Sequence, residues 1–304
     1  MIKRTLYFAS PAYLALKQRQ LEIRQTPDEG GATSVRTIPI EDIGVVLLDH
    51  PQITITHRLL DALLSYNCAV VTCSMNHLPS GLLLPLDAHS LQNERFRAQL
   101  EASVPLRKRL WQQTIQAKIQ NQAIVLQNVL GEPAKNMIAW SRQVKSGDPE
   151  NLEARAAAFY WRNLFVSLPD FVREREETAP NSLLNYGYAL LRAIIARALV
   201  ATGLLPTLGI HHHNKYNAYC LADDIMEPYR PYVDQLVVEI CEEEGFPSVL
   251  SKEIKARLLS LSALDVEFEG QRRPLMLAAS QTAGSLLRCF TGEGRRLAYP
   301  LLSC

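Results

Sequence analysis

Along roughly the first eighty residues apolar side chains recur at alternate positions, and beyond them they recur every three to four. Leu14 and Leu16, then Leu21 and Ile23, flank the polar run Lys17 to Gln20, which predicts a hairpin with one apolar face. Thr26-Pro27-Asp28-Glu29-Gly30-Gly31 carries loop chemistry, and Val35 to Ile40 and Ile43 to Leu48 then read as short strands. Thr56 is placed to cap a helix through Leu59, Leu60, Leu63 and Leu64, after which Cys68 to Cys73 and Gly81 to Leu84 resume as buried strands. These elements predict a small N-terminal β-rich domain over residues 1–87, β-sandwich-like with one helix.

After Pro85 and Asp87 the period becomes helical, which predicts a larger C-terminal all-α domain over residues 88–304 that carries the chemistry, interrupted by a small hairpin at Val266 to Arg273. Ser90 is placed to cap a helix through Leu100, and Pro105 opens a long helix toward Leu130 that Gly131 closes. Leu106, Leu110, Ile115, Ile119, Ile124 and Leu126 follow its period broadly, leaving Arg107, Lys108, Arg109 and Lys118 to a polar face. Asp148 followed by Pro149 reads as cap and first turn of a helix whose one stripe carries Glu153, Ala157, Tyr160 and Leu164. Asn181 to Val200 is apolar enough for the centre of this domain, and the fold class is α+β with two domains.

At 304 residues and 47% apolar content the chain can bury a sizeable core. No apolar run reaches 18 residues and no positive-then-apolar segment opens the chain, so a cytoplasmic protein is expected. Its six cysteines are widely spaced without a CxxC pair, which reads as reduced thiols. A formal charge of +1 requires any nucleic-acid surface to gather basic residues on one face or to pool them between copies.

Polarity concentrates where a core protein has little use for it, in Gly209 to Pro231. Asp224 and Glu227 are three apart on a predicted helical turn that Pro228 ends, and His212 lies fifteen residues before Glu227 on a loop able to fold back. Glu153 sits on an otherwise apolar stripe, where a carboxylate is costly unless a metal or a buried cation compensates it. Two glutamates and an imidazole around one point suit Mg²⁺ or Mn²⁺, and such an ion polarises a phosphodiester and activates an attacking oxygen. From spacing alone the three histidines also fit a solvated loop, Glu153 an exposed helix position, and Asp223 and Asp224 caps, the preferred role for Asp223. Cys220 hints at zinc without a second cysteine at ligand spacing, and the clusters Arg107 to Arg109, Arg173 to Arg175, Arg272-Arg273 and Arg295-Arg296 read singly as solvated faces.

Three ordered blocks resemble one family: Ser146-Gly147-Asp148-Pro149-Glu150-Asn151-Leu152-Glu153 with Tyr160-Trp161, then Leu184-Asn185-Tyr186-Gly187-Tyr188 with Ala196-Arg197-Ala198, then Leu208 to Pro231. The family is the CRISPR-associated integrase, the endonuclease that inserts new spacers into CRISPR arrays, and the resemblance is specifically to its type II branch. The resemblance implies a metal-binding, catalytic triad of Glu153, His212 and Glu227 holding Mg²⁺ or Mn²⁺, with Asp224 a candidate auxiliary ligand; it thereby singles out His212 among the three histidines. It implies joining of prespacer DNA 3′-hydroxyls to leader-repeat phosphodiesters in antiviral defence. It also implies a homodimer formed through the β domains, two such dimers flanking a dimer of a small ferredoxin-like partner, and involvement of an RNA-guided effector nuclease. Two other readings stand beside it: a metal-dependent nuclease acting on branched or nonspecific DNA, and a non-catalytic DNA-binding scaffold.

Overall fold

The computed structural model describes residues 3–25, 34–174 and 178–302, so the predicted loop from Thr26 to Gly31, Arg175 and Cys304 lie outside the described residues. The chain divides into two compact units, Met1–Ser90 and Leu91–Cys304.

The first unit runs β1 (Arg4–Phe8), β2 (Ala12–Lys17), β3 (Gln20–Gln25), β4 (Ser34–Pro39), β5 (Ile43–Leu48), β6 (Ile53–Ile55), α1 (His57–Ser65), β7 (Ala69–Cys73) and β8 (Pro79–Leu83). Two four-stranded sheets form, in the orders β1-β5-β7-β8 and β4-β3-β2-β6. The predicted hairpin is β2 against β3, with Leu14 opposite Ile23 and Leu16 opposite Leu21. Gln18 and Arg19 turn it at φ 50° and 62°, the left-handed pair that matches strand twist in a two-residue hairpin. Alternation aims Leu14 and Leu21 of one sheet and Ile43, Val46 and Val70 of the other into one core, which Leu59 and Leu63 of α1 complete. β8, expected as a buried strand, pairs with β7 alone, and its edge position leaves Leu83 exposed. Thr56 holds the N-cap position of α1 by its extended backbone, with no side-chain cap bond.

The second unit runs α2 (Gln92–Leu100), α3 (Val104–Leu130), α4 (Lys135–Gln143), α5 (Leu152–Leu164), α6 (Asn181–Ala201), α7 (Cys220–Met226), α8 (Arg230–Glu244), α9 (Lys252–Leu259), the hairpin β9 (Asp265–Phe268) and β10 (Gln271–Pro274), and α10 (Leu275–Phe290). α3 begins and ends as its sequence requires: Ser103 accepts the Leu106 N–H, Pro105 sits in the first turn, and Gly131 takes the left-handed C-cap at φ 72°. Two starts differ from expectation. α2 begins after Leu91, past Ser90, and α5 begins at Leu152, a turn beyond Asp148-Pro149. α6 is long and apolar enough to cross a membrane, but 83% of its most apolar window is buried within the protein, as for a core helix. It lies close against α8, because a Cβ on Gly187 would stand 2.4 Å from Val233 Cγ1.

Candidate metal centre

Three segments of the helical unit, α5, the Glu227 turn and α3, converge on one point. Glu153 stands in the first turn of α5, and the Asp148 carboxylate, carried on a turn at positive φ, accepts the Leu152 and Glu153 N–H groups at 3.0 and 2.9 Å. Glu227 begins the 3₁₀ turn Glu227–Tyr229 that links α7 to α8. Asn121 of α3 donates to the Pro228 carbonyl at 2.7 Å and fastens that turn to α3. Lys118 then reaches in from the middle of α3. Its Nζ lies 2.7 Å from Glu153 Oε1 and 2.6 Å from Glu227 Oε2, so both glutamates meet at one cation.

This corrects the expectation for Lys118. Its side chain is 11% exposed rather than part of a polar face. The signal was present in the spacing: Trp111, Lys118 and Val125 recur at intervals of seven, and Trp111 and Val125 are fully buried. The buried cation that an apolar-face Glu153 demands is this lysine.

The histidine loop is held from below by Asp224, which is wholly buried. Its carboxylate accepts the His211 N–H at 2.9 Å and the His212 N–H at 3.3 Å, and pairs with His212 Nδ1 at 2.5 Å. A proton on Nδ1 leaves Nε2 with the lone pair that a metal takes. Asp224 thus faces the imidazole and the loop backbone. Gly209 makes the loop possible, since a Cβ there would stand 2.4 Å from the His212 carbonyl and 2.7 Å from Asp224 Oδ2. Trp111, unnoticed in the sequence, stacks on His211 at 4.0 Å and meets His212 edge-on at 5.5 Å, seating both rings.

Charge balances across this cluster. Burial alone would push the Glu227 carboxyl up, but the Arg230 and Lys118 charges beside it hold it at about 2. Burial works against the charged form of Lys118 too, and the Glu227 and Glu153 carboxylates overcome it and raise its proton affinity. The bond to Asp224 raises His212 against the effect of burial, with Glu227 and Glu153 adding to it. Burial lowers His211, as does the neighbouring His212. Arg230 Nε lies 2.9 Å from Glu227 Oε1. Lys118 Nζ stands on the other oxygen, Oε2, which is buried and has no further donor.

Among the described residues no three His, Cys, Asp or Glu side chains are gathered closely enough to cage a metal as they stand. The donor set nevertheless fits a hard divalent ion: two carboxylates from separate elements already share a cation, and an imidazole paired with Asp224 stands within their electrostatic reach. Zinc finds no support in Cys220, whose thiol bonds to the Asn214 and Asn217 carbonyls and is raised by burial. Asp223, expected as a cap, instead takes Arg192 in a two-point pair at 2.7 and 3.0 Å and accepts Asn217 at 2.7 Å.

Beside the centre opens a polar cleft of about 940 Å³ lined by Arg173, Arg192, Arg230, Asn185, Asn217 and an exposed Tyr216. Three guanidinium groups, amides and an aromatic face are the chemistry that binds phosphates and stacks bases. The basic pairs at Arg272-Arg273 and Arg295-Arg296 take no part in it.

The sequence model of the family described as CRISPR associated protein Cas1 matches residues 6–248. The CRISPR-associated endonuclease Cas1 of Neisseria meningitidis serogroup C is 35% identical over 286 residues, spanning 94% of this chain and 91% of that one. Among solved structures, a casposase bound to integration product superposes with a TM-score of 0.77 at 19% identity, covering 98% of this chain and 92% of that chain. A chain of a Cas6-RT-Cas1–Cas2 complex superposes at 0.72 and 19% identity, covering 98% of this chain and 36% of the larger one. These two likenesses are of fold.

Proposed function

The chain belongs to the CRISPR-associated Cas1 family, and from that premise we propose that it is a DNA endonuclease of CRISPR adaptation that joins prespacer 3′-hydroxyls to leader-repeat phosphodiesters. The observation that carries the reading is the convergence of Glu153 and Glu227, from separate elements, on one cation position beside an imidazole that Asp224 orients. Glu153, Glu227 and His212 through Nε2 would hold Mg²⁺ or Mn²⁺. Such an ion supplies Lewis acidity to the phosphodiester and to the attacking oxygen.

The chain's own residues supply position and charge. Arg230, paired with Glu227 and lying 4.6 Å over the Tyr188 ring, keeps that carboxylate ionised where burial opposes it. The arginine-lined cleft takes DNA phosphates beside the carboxylates, and Tyr216 offers a stacking face. On the same reading the protein works in the cytoplasm as a homodimer formed through its β-rich unit, with the family's small ferredoxin-like Cas2 partner, in a type II system with an RNA-guided effector nuclease. A Cas1–Cas2 complex among proteins of like fold supports that partnership.

The test is strand transfer of a labelled short duplex into a leader-repeat plasmid, with the small partner present and Mn²⁺ or Mg²⁺ supplied. Labelled joined product is expected, lost on chelation and reduced at least a thousandfold in Glu153→Ala and Glu227→Ala, the scale on which an essential metal ligand acts. Cut DNA without joined product would replace integration by hydrolysis, and DNA binding without any strand breakage would leave a scaffold.

A further inference from the structure

We propose that the Lys118 ammonium is a resident counter-cation, which keeps the place between Glu153 and Glu227 in the metal-free protein and yields it to the divalent ion. This rests on the metal site proposed above and concerns what that site holds before metal arrives.

Glu227 divides its two oxygens between cations of different kind. Oε1 faces Arg230, whose guanidinium is delocalised and also lies over Tyr188, an anchorage on a second element that binding at Oε2 need not disturb. Oε2 faces Lys118, a point charge on a flexible four-carbon stem. Lys118 is also the one of the two that reaches Glu153. An Mg²⁺ ion held by both carboxylates would stand about 2.0–2.1 Å from their oxygens. An ammonium 2.6 to 2.7 Å from those same oxygens cannot remain beside it, because the two cations would overlap and repel.

The way out is on the Glu153 side, where the carboxylate is 24% exposed against 7% for Glu227. Displaced toward that side, the ammonium would reach solvent while its stem stays packed in the α3 face. Two consequences follow. Without metal, the lysine prevents the buried Glu227 and the half-buried Glu153 carboxylates from repelling each other and opening α5 away from the Glu227 turn. With metal, the ion must displace it, so the affinity of the free protein is reduced by the fraction of molecules in which the lysine is out of the way.

The experiment is Mn²⁺ binding by calorimetry, on the full chain, for the wild type, Lys118→Met and Glu153→Gln, together with thermal unfolding in EDTA and in saturating Mn²⁺. Lys118→Met should bind Mn²⁺ roughly tenfold more tightly, as expected if nine molecules in ten are lysine-bridged. It should melt lower than wild type in EDTA and gain more from Mn²⁺. Glu153→Gln should bind more weakly than either. Unchanged or weaker binding in Lys118→Met while Glu153→Gln is impaired would overturn the counter-cation and leave the metal site standing. No Mn²⁺ binding by the wild type would overturn both. A second measurement needs no variant: labelling of Lys118 by a small amine-reactive reagent, read by mass spectrometry, should be faster in saturating Mn²⁺ than in EDTA. Equal labelling would overturn the proposal even were the methionine variant lost to misfolding.

Discussion

A carboxylate buried among apolar side chains is driven toward its neutral form unless charge or hydrogen bonds hold it ionised, and the helical unit contains both outcomes. Glu227, between Lys118 and Arg230, is held at about 2. Asp234 is also buried and accepts hydrogen bonds from the Tyr160 and Tyr188 hydroxyls, yet burial dominates and pushes its carboxyl from 3.8 up to about 7. A folded value above the unfolded one means that the native state binds the extra proton. The stability that this confers is complete below about pH 4 and is lost as pH rises through 7. Over that interval the loss approaches about 4 kcal/mol, at roughly 1.4 kcal/mol per unit, as an upper figure. The thermal midpoint of the wild type should therefore fall between pH 5 and 8 more steeply than that of Asp234→Asn, which cannot titrate. Parallel midpoint curves for the two proteins would refute this account of Asp234.

Helix starts carry the site, and one of them works differently from its sequence pattern. Asp148-Pro149 has the order of a cap and a first turn, but the aspartate instead reaches forward from a turn at positive φ to two N–H groups of α5. It thereby both ends the preceding turn and fixes the first turn that carries Glu153. Asp148→Ala leaves those two donors to water and should cost about 1–2 kcal/mol in urea denaturation, as loss of a helix cap does. A loss below a few tenths would mean that the two bonds are dispensable. α2 shows the opposite case: Ser90 has the chemistry of a cap but stands outside the helix, and α2 starts behind Leu91 without a side-chain cap.

At the scale of the molecule, a chain of formal charge +1 presents a cleft with three arginines. Their charges are unequally available. Arg192 is neutralised by Asp223, whereas Arg173 spends its donors on the amide oxygens of Asn181 and Asn185 and keeps its charge. In DNA binding by fluorescence anisotropy between 50 and 200 mM salt, Arg173→Gln should lower affinity alike for unrelated sequences and flatten the log–log salt slope by about 1. Arg192→Gln should flatten it less. A slope unchanged in Arg173→Gln would take this cleft out of the DNA path.

The hairpin of β2 and β3, the reach of α3 from its proline to Gly131, the burial of α6 and the presence of Glu153 on an apolar stripe were all legible in the sequence, because period, caps and turn residues are local properties. So was the family, through ordered blocks that include Glu153, His212 and Glu227. What only the tertiary structure decided was which group compensates which. Lys118 lies thirty-five residues before Glu153 and 109 before Glu227, and nothing local pairs them; the packing of α3 against α5 and the Glu227 turn does. The same holds for Asp223 with Arg192 and for Trp111 under the histidines. A buried charge or ring takes its partner from whichever element packs on its face, and that choice is made by the fold.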